Sequence, residues 1–270
     1  MENTMTVSII LPTYNGAQWI RRAIDSVIAQ TFTDWELIIV DDGSTQDLQC
    51  MFPGDARIRY FKNEKNLGIQ KTINRGLAEA KGKYIARIDD DDMWSDTAKL
   101  EKQVAFLESH PDHVLVGTGV IVVDEQGKEL QRYLLPETDT VIRSKLLRKN
   151  CFVHSSVVFR NIGIRYSEEK NVRHAEDYEL WLRLGLQGKF ANLPSHSVTF
   201  TVRKQSLTGR NRVIQARRIL VLAWRYKTHY PHALIGITTA FVRYVGFIGL
   251  SVIPVPRGLF HWIQKIQKSM

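Results

Sequence analysis

One stretch near the amino terminus admits few folds. Val7 to Leu11 is an apolar run closed by Pro12, Thr13, Tyr14, Asn15 and Gly16, and Trp35 to Val40 is a second, closed by Asp41, Asp42, Gly43, Ser44 and Thr45. Unbroken apolar runs of this length suit strands covered on both faces, as in a parallel sheet. Between them, from Ala17 to Gln30, Trp19, Ile20, Ala23, Ile24, Val27 and Ile28 recur at the spacing of one helical face. Strand, helix, strand is a βαβ unit, and in such sheets ligands bind beyond the carboxyl ends of the strands. The expected fold class is therefore α/β.

Four consecutive aspartates, Asp89 to Asp92, follow the strand-like run Lys83 to Ile88. No packing requirement calls for four adjacent like charges there; they either cap the next helix or face something cationic. A hard divalent cation such as Mg²⁺ or Mn²⁺ takes oxygen ligands and accepts one or two carboxylates beside the phosphates of a substrate. That chemistry points to a nucleotide or a phosphorylated ligand. The order of elements brings Thr13 to Asn15, Asp41 to Asp42 and Asp89 to Asp92 to one edge of the sheet.

Further along, the pattern predicts a strand over Arg57–Phe61, a helix over Ile69–Ala80 stopped by Gly82, and a helix over Thr97–Glu108 with Leu100, Val104 and Leu107 on one face. Strands over His113–Val123 and Glu129–Leu135 flank a D-E-Q-G turn. A short helix over Val141–Arg148, a strand over Ser155–Arg160 and a helix over Ala175–Leu186 follow, with neither repeats nor low-complexity segments. With 270 residues, 44% of them hydrophobic, the chain can bury one substantial core, so one domain with an appendage is expected. Cys50 and Cys151 are its two cysteines, which implies neither a disulfide framework nor a zinc site; with no basic-then-apolar leader pattern at the start, a reducing cytoplasm is expected.

The net charge of +9 hides a division. Residues 1–179 hold all 28 acidic residues against 23 basic ones, a net of −5, whereas residues 180–270 hold 14 basic residues and no acid. Such asymmetry suggests nucleic acid or an anionic membrane as partner. Ala233 to Ile253 is nearly apolar with Arg243 inside it, and Leu259 to Gln267 mixes Leu259, Phe260, Trp262, Ile263 and Ile266 with His261 and Lys265. Phosphate-binding surfaces need no such apolar stretch, so nucleic acid is set aside. About 20 apolar residues can span a bilayer, but an Arg near the middle costs roughly 2.5–3.5 kcal/mol on insertion scales. Helices lying in the membrane interface are favoured over a span or a buried oligomer helix, with Trp262, Tyr244 and Tyr226 at headgroup level.

Five motifs in order carry a family resemblance: P-T-Y-N-G at Pro12–Gly16, V-D-D-G-S-T at Val40–Thr45, N-L-G at Asn66–Gly68, A-R-I-D-D-D-D at Ala86–Asp92 and A-E-D-Y-E-L-W at Ala175–Trp181. Across residues 6–205 the chain resembles family 2 of the inverting nucleotide-sugar glycosyltransferases, whose fold is GT-A. The resemblance implies a nucleotide-binding domain, placed over 1–205, a Mn²⁺ or Mg²⁺ cofactor, and transfer of one sugar from a nucleoside diphosphate donor to an acceptor hydroxyl, while charge and hydropathy make 206–270 a basic membrane-associating extension. Its residues carry over as follows. Asp177 is the base, and Glu176 beside it raises its pKa by repulsion. Asp91 is the metal ligand, with Asp89 towards the ribose, although Asp90 between them leaves the choice among Asp89, Asp91 and Asp92 open. Pro12, Thr13 and Tyr14 hold and stack on the base, Asp42 accepts from it, Asp41, Asn66 and Gly68 belong to the donor site, and Arg87 sits near ribose and diphosphate. Arg203 and Lys204 either clamp the diphosphate or begin the basic tail. His154 lies near sugar or acceptor, or is structural, and Trp181 is core or acceptor wall.

Processive members carry Q-x-x-R-W, whereas Gln215 to Ile219 here reads Q-A-R-R-I, so single addition is expected. A lipid-linked glycan acceptor at the inner membrane face, with UDP as the favoured nucleotide, completes the expectation. The alternatives are a sugar-nucleotide nucleotidyltransferase, which would carry a glycine-rich cationic loop after its first strand, and a binding module without catalysis.

Overall fold

The computed structural model of the protein describes residues 6–203 and 212–252. In chain order the elements are β1 (Val7–Thr13), α1 (Ile20–Ile28), β2 (Trp35–Asp41), β3 (Ile58–Lys62), α2 (Ile69–Glu79), β4 (Tyr84–Arg87), β5 (Met93–Trp94), α3 (Lys99–Ser109), β6 (His113–Val123), β7 (Glu129–Tyr133), α4 (Asp139–Leu146), β8 (Val158–Arg160), α5 (Glu176–Leu184), β9 (Lys189–Thr201), α6 (Arg212–Arg225) and α7 (Ala233–Val252). The strands form one sheet in the order β3-β2-β1-β4-β8-β6-β9-β5, with β7 pairing to β6. β3, β2, β1 and β4 run parallel, and β8 enters antiparallel between β4 and β6.

Side chains alternate across a strand, and here each face of the sheet has its own core. Ile10, Ile38, Val40 and Ile85 face Ile73 and Leu77 of α2 together with apolar residues of α4 and α5. Ile9, Leu11, Leu37, Ile39 and Ala86 face α1, through Ile20, Ala23, Ile24 and Val27, and α3, through Leu100, Val104 and Leu107. This three-layer α/β arrangement is the expected fold class. β1, β2 and β4 point their carboxyl ends the same way, which sets the P-T-Y-N-G, D-D-G-S-T and four-aspartate segments side by side.

Several boundaries differ from the sequence expectation. Ser155 and Ser156 lie in a 3-10 turn (His154–Ser156) rather than in a strand, because their polar atoms are drawn elsewhere: the Ser155 carbonyl accepts from Trp94 Nε1 at 2.9 Å and its hydroxyl accepts from Asp89 N at 3.0 Å. β9 is a 13-residue strand that the sequence conceals. Pro194 and the polar run Ser195–Ser197 break its pattern, and register shifts opposite Thr118 and Gly119 of β6 absorb the break.

α6 and α7 pack against the same core as α5. Leu222, Ala223, Tyr226 and Tyr230 are buried among α5 residues. Tyr230 donates to the Leu182 carbonyl at 2.7 Å and Tyr226 to Glu179 Oε1 at 3.2 Å. Tyr226 is therefore a core residue, which corrects its expected position at headgroup level. α7 presses Gly236 and Ala240 inward, where a Cβ on Gly236 would meet Leu147, and leaves Leu234, Ile235, Phe241, Val242, Val245 and Ile248 exposed. Among the described residues no helix is long and apolar enough to cross a membrane. Lys204 and the segment 253–270, with Trp262, lie outside the described residues.

Candidate active site

At the end of β1, Thr13 is buried and donates its hydroxyl to Asp90 Oδ2 at 2.6 Å. A side chain on Gly16 would collide with that carboxylate and that hydroxyl, so the turn after β1 requires glycine there. Burial first, and then the neighbouring Asp91, push Asp90 up to about 7. Pro12 is buried within the strand, and Tyr14 projects outward, 49% exposed.

The two aspartates closing β2 hold loops. Asp41 is fully buried; it accepts from Ser44 N at 2.8 Å and from the Tyr60 hydroxyl at 2.8 Å. That corrects its expected contact with the donor. Asp42, 4% exposed, accepts from Asn63 Nδ2, Leu67 N and Gly68 N at 2.8, 2.8 and 2.9 Å. Gly68 reaches this position with φ of 91°, a conformation that favours glycine. The N-L-G motif is thus pinned to the D-D motif, with Asn66 exposed at the lip.

Beyond β4 the four aspartates divide. Asp92 is buried and both oxygens are taken, one by the Ser155 hydroxyl and the other by Thr201 N at 3.0 Å. It is a strut between the acidic loop and the end of β9. Asp89 and Asp91 keep side-chain exposures of 30% and 19%, and Asp91 Oδ2 lies 2.8 Å from Arg203 Nε. Asp91 is therefore neutralised by the chain's own cation. Arg22 donates to both the Asp91 carbonyl and Thr201 Oγ1 at 2.9 Å, a second tie between loop and β9.

Arg87 is fully buried. It donates to the Ile10 carbonyl at 2.5 Å, to Asp89 Oδ1 at 2.7 Å and to His154 Nε2 at 3.1 Å. Its expected contact with ribose and diphosphate is corrected: the guanidinium is committed below the surface, where it aims Asp89. Burial works against the Asp89 carboxylate, but the neighbouring His154 and Arg87, with hydrogen bonds from Arg87 and Ser155, outweigh it and its pKa is lowered. His154 Nε2 lies 2.7 Å from the Tyr166 hydroxyl as well. Burial first, then Arg87, drive His154 down to about 3, so the ring is neutral, accepts at Nε2 and carries its proton on Nδ1.

Across from this loop stands the start of α5. Asp177 Oδ2 accepts from Asn150 Nδ2 at 2.9 Å, and burial raises its pKa, with the charge of Asp89 adding to it. Glu176 is raised to about 7 by burial and then by Asp177, and its Oε2 is buried without a hydrogen-bond partner among the described residues. Asp89, His154, Tyr166 and Asp177 thus gather at one place. Trp181 is fully enclosed beside Phe152, His154 and Phe159; it backs His154 from within the core, so of its two expected readings the structure has the core one and corrects the acceptor wall. Asn150, Tyr166, Arg22 and Ser155 were not foreseen, since each acts on a residue 12 to 69 positions away along the chain and no local pattern marks it.

Among the described residues no three His, Cys, Asp or Glu side chains converge to hold a metal ion by themselves. The Asp89 and Asp91 carboxylates nevertheless fit a hard cation that takes its other ligands from phosphates.

A mixed sheet that crowds polar strand ends onto one edge, opposite a raised carboxylate pair, is the arrangement of the GT-A class of α/β proteins, which the likeness to solved structures shows. In shape the chain matches S. aureus TarS residues 1–349 in complex with UDP-GlcNAc at a TM-score of 0.73, covering 96% of this chain and 79% of TarS at 21% identity, a likeness of fold. Glycosyl transferase family 2 matches residues 8–167, and the chain belongs to that family. It is 34% identical to EpsE of Bacillus subtilis (strain 168) over 215 residues, 76% of each chain. It is 35% identical over 196 residues to the amylovoran biosynthesis glycosyltransferase AmsE of Erwinia amylovora, covering 69% of this chain and 73% of AmsE. Membership sets aside the nucleotidyltransferase alternative.

Proposed function

We propose that the protein transfers a single sugar from a nucleoside diphosphate donor, UDP being the favoured nucleotide, to a hydroxyl of a lipid-linked glycan, with inversion. The carrying observation is that Asp177, a carboxylate whose pKa is raised by burial, stands with Asp89 and His154 at the acidic end of β4. Single-step inversion needs a base on the acceptor side and stabilised charge on the leaving side. Asp177 takes the proton of the acceptor hydroxyl; that oxygen forms the new bond to the anomeric carbon from the face opposite the diphosphate; the old bond breaks and its electron pair leaves on the diphosphate. Asn150 fixes the orientation of Asp177, Tyr14 offers a ring to the nucleobase, and Arg87 holds Asp89. Asp91, with Asp89 beside it, would hold Mn²⁺ or Mg²⁺, which would supply positive charge to the leaving diphosphate. Arg203, beside Asp91, is within reach of the same phosphates.

The acceptor class is supported by the role printed for AmsE and by the tail. The exposed face of α7 is apolar and the carboxyl-terminal third has no acidic residue, a combination suited to lying on an anionic membrane, here the inner face of the cell membrane. The test is turnover of a panel of UDP- and GDP-sugars by the full-length protein, with and without Mn²⁺ or Mg²⁺, and assignment of the product anomer by NMR. Metal-dependent release of one nucleotide with an inverted product is expected; a retained anomer would overturn the mechanism.

A further inference from the structure

α6 runs alongside α5 in a fixed register. Gln215 donates to the His174 carbonyl at 3.1 Å and Tyr226, three turns on, donates to Glu179. Arg218 follows Gln215 by three residues and so lies on the same helical face, next to Glu176. Among the described residues two buried polar atoms meet no partner there: Arg218 Nη1 and Glu176 Oε2. They are not paired with each other, for no ion pair within 4.0 Å joins them. Buried polar atoms are nearly always satisfied, so a place with two unsatisfied ones calls for a ligand. Arg173, just before α5, and Arg217 on α6 are exposed, and among the described residues neither has a carboxylate within ion-pair distance. Both lower the pKa of Arg218, after burial, and Arg173 and Arg218 lower that of His174. Three guanidinium groups thus share one locale, and the neighbouring Glu176 is held near neutrality by its burial.

We infer that Arg173, Arg217 and Arg218 form an anion subsite for the acceptor, taking a phosphate or diphosphate group borne close to the hydroxyl that reacts. Arg binds phosphate through paired N–H donors, and three guanidinium groups supply enough of them, and enough positive charge, for a phosphate or diphosphate. The inference rests on the placement of the acceptor hydroxyl at Asp177, one residue beyond Glu176. It narrows the acceptor to a phosphorylated one, either lipid-borne or soluble.

The test is direct binding, which does not depend on turnover. Full-length wild type, the double variant Arg173→Gln/Arg218→Gln and the control Lys128→Gln, an exposed charge on the β6–β7 turn, are titrated by calorimetry with UDP in excess. The probes are inorganic pyrophosphate and a prenyl diphosphate in neutral vesicles. Loss of at least tenfold in affinity for both probes in the double variant, with the control unchanged, is expected. Loss for the prenyl diphosphate alone would support the subsite with lipid as its source. Equal binding by wild type and double variant, or an equal loss in the control, would overturn it. A base other than Asp177 would leave these affinities untouched while changing transfer, so the two ideas fail separately.

Discussion

Arg203 Nε lies 2.8 Å from Asp91 Oδ2, so the carboxylate assigned to the cation is held by a guanidinium from the segment after β9. A cation and a diphosphate would compete for the two partners of that ion pair. Asp91→Asn is expected to abolish metal-dependent turnover while the fold survives, because removing one charge from a four-aspartate run relieves repulsion. Wild-type turnover by this variant, measured with Mn²⁺, would move the metal ligand elsewhere.

For Asp177 the expected cost is larger on chemistry than on binding. Asp177→Asn should lower turnover by about 10²–10⁴ and leave donor affinity nearly intact. In the wild type the rate should fall as pH drops through the raised pKa of this carboxyl, since the protonated form cannot accept the acceptor proton. A pH-independent rate across that range would reassign the base.

Glu176 makes a separate prediction for stability. Its folded pKa of about 7 lies above the ordinary 4.5, so the fold favours the protonated form. The stabilisation is complete below the unfolded value and is lost as pH rises through 7. Glu176→Gln mimics the protonated form. It should therefore match wild type near pH 4 and exceed it at pH 8 by about 1–3 kcal/mol, discounted for partial solvent access. Urea unfolding at the two pH values measures this, and an equal difference at both would remove the burial argument.

Much of this was legible in the sequence where the signal is local. Strands β1, β2 and β4, buried on both faces, read as unbroken apolar runs, and the acidic and turn motifs at their ends gave the site's position. What escaped was set by distant partners. Arg87 reads as a free cation beside four acids, yet the Ile10 carbonyl and His154 draw it wholly inside. Asp92 looks like its three neighbours until Ser155 and Thr201 take both its oxygens. β9 stayed hidden because Pro194 interrupts its alternation, and the tail read as a separate body because the apolar side chains that anchor it to α5 are indistinguishable in sequence from those that face outward.

Arg87 tests the buried network. Arg87→Met removes the cation from Asp89 and the donor from His154, leaving a carboxylate with little to offset its burial, a change that costs about 3–5 kcal/mol. Thermal and urea unfolding should both register the loss. The His154→Asn variant, which keeps Arg87 and its pair with Asp89, should lose less than half as much; an equal loss would assign the energy to the His154 contact instead.

Membrane attachment can be tested without disturbing the core. Cutting the chain before α7 would uncover Leu147 and the apolar side chains over which Gly236, Ile237 and Ala240 close, so a truncated protein would confound attachment with folding. Phe241 and Val245, 53% and 48% exposed, lie one turn apart on the outward face. Phe241→Asp with Val245→Asp introduces two charges that an anionic surface repels and removes apolar area contributing about 25 cal/mol per Å² buried. The variant should unfold at the wild-type temperature, hydrolyse soluble donor at the wild-type rate, and fail to sediment with vesicles containing phosphatidylglycerol. Wild type should sediment with them and be released by high salt, as an in-plane helix held partly by charge requires. Undiminished sedimentation of the double variant would show that α7 is not the attached surface.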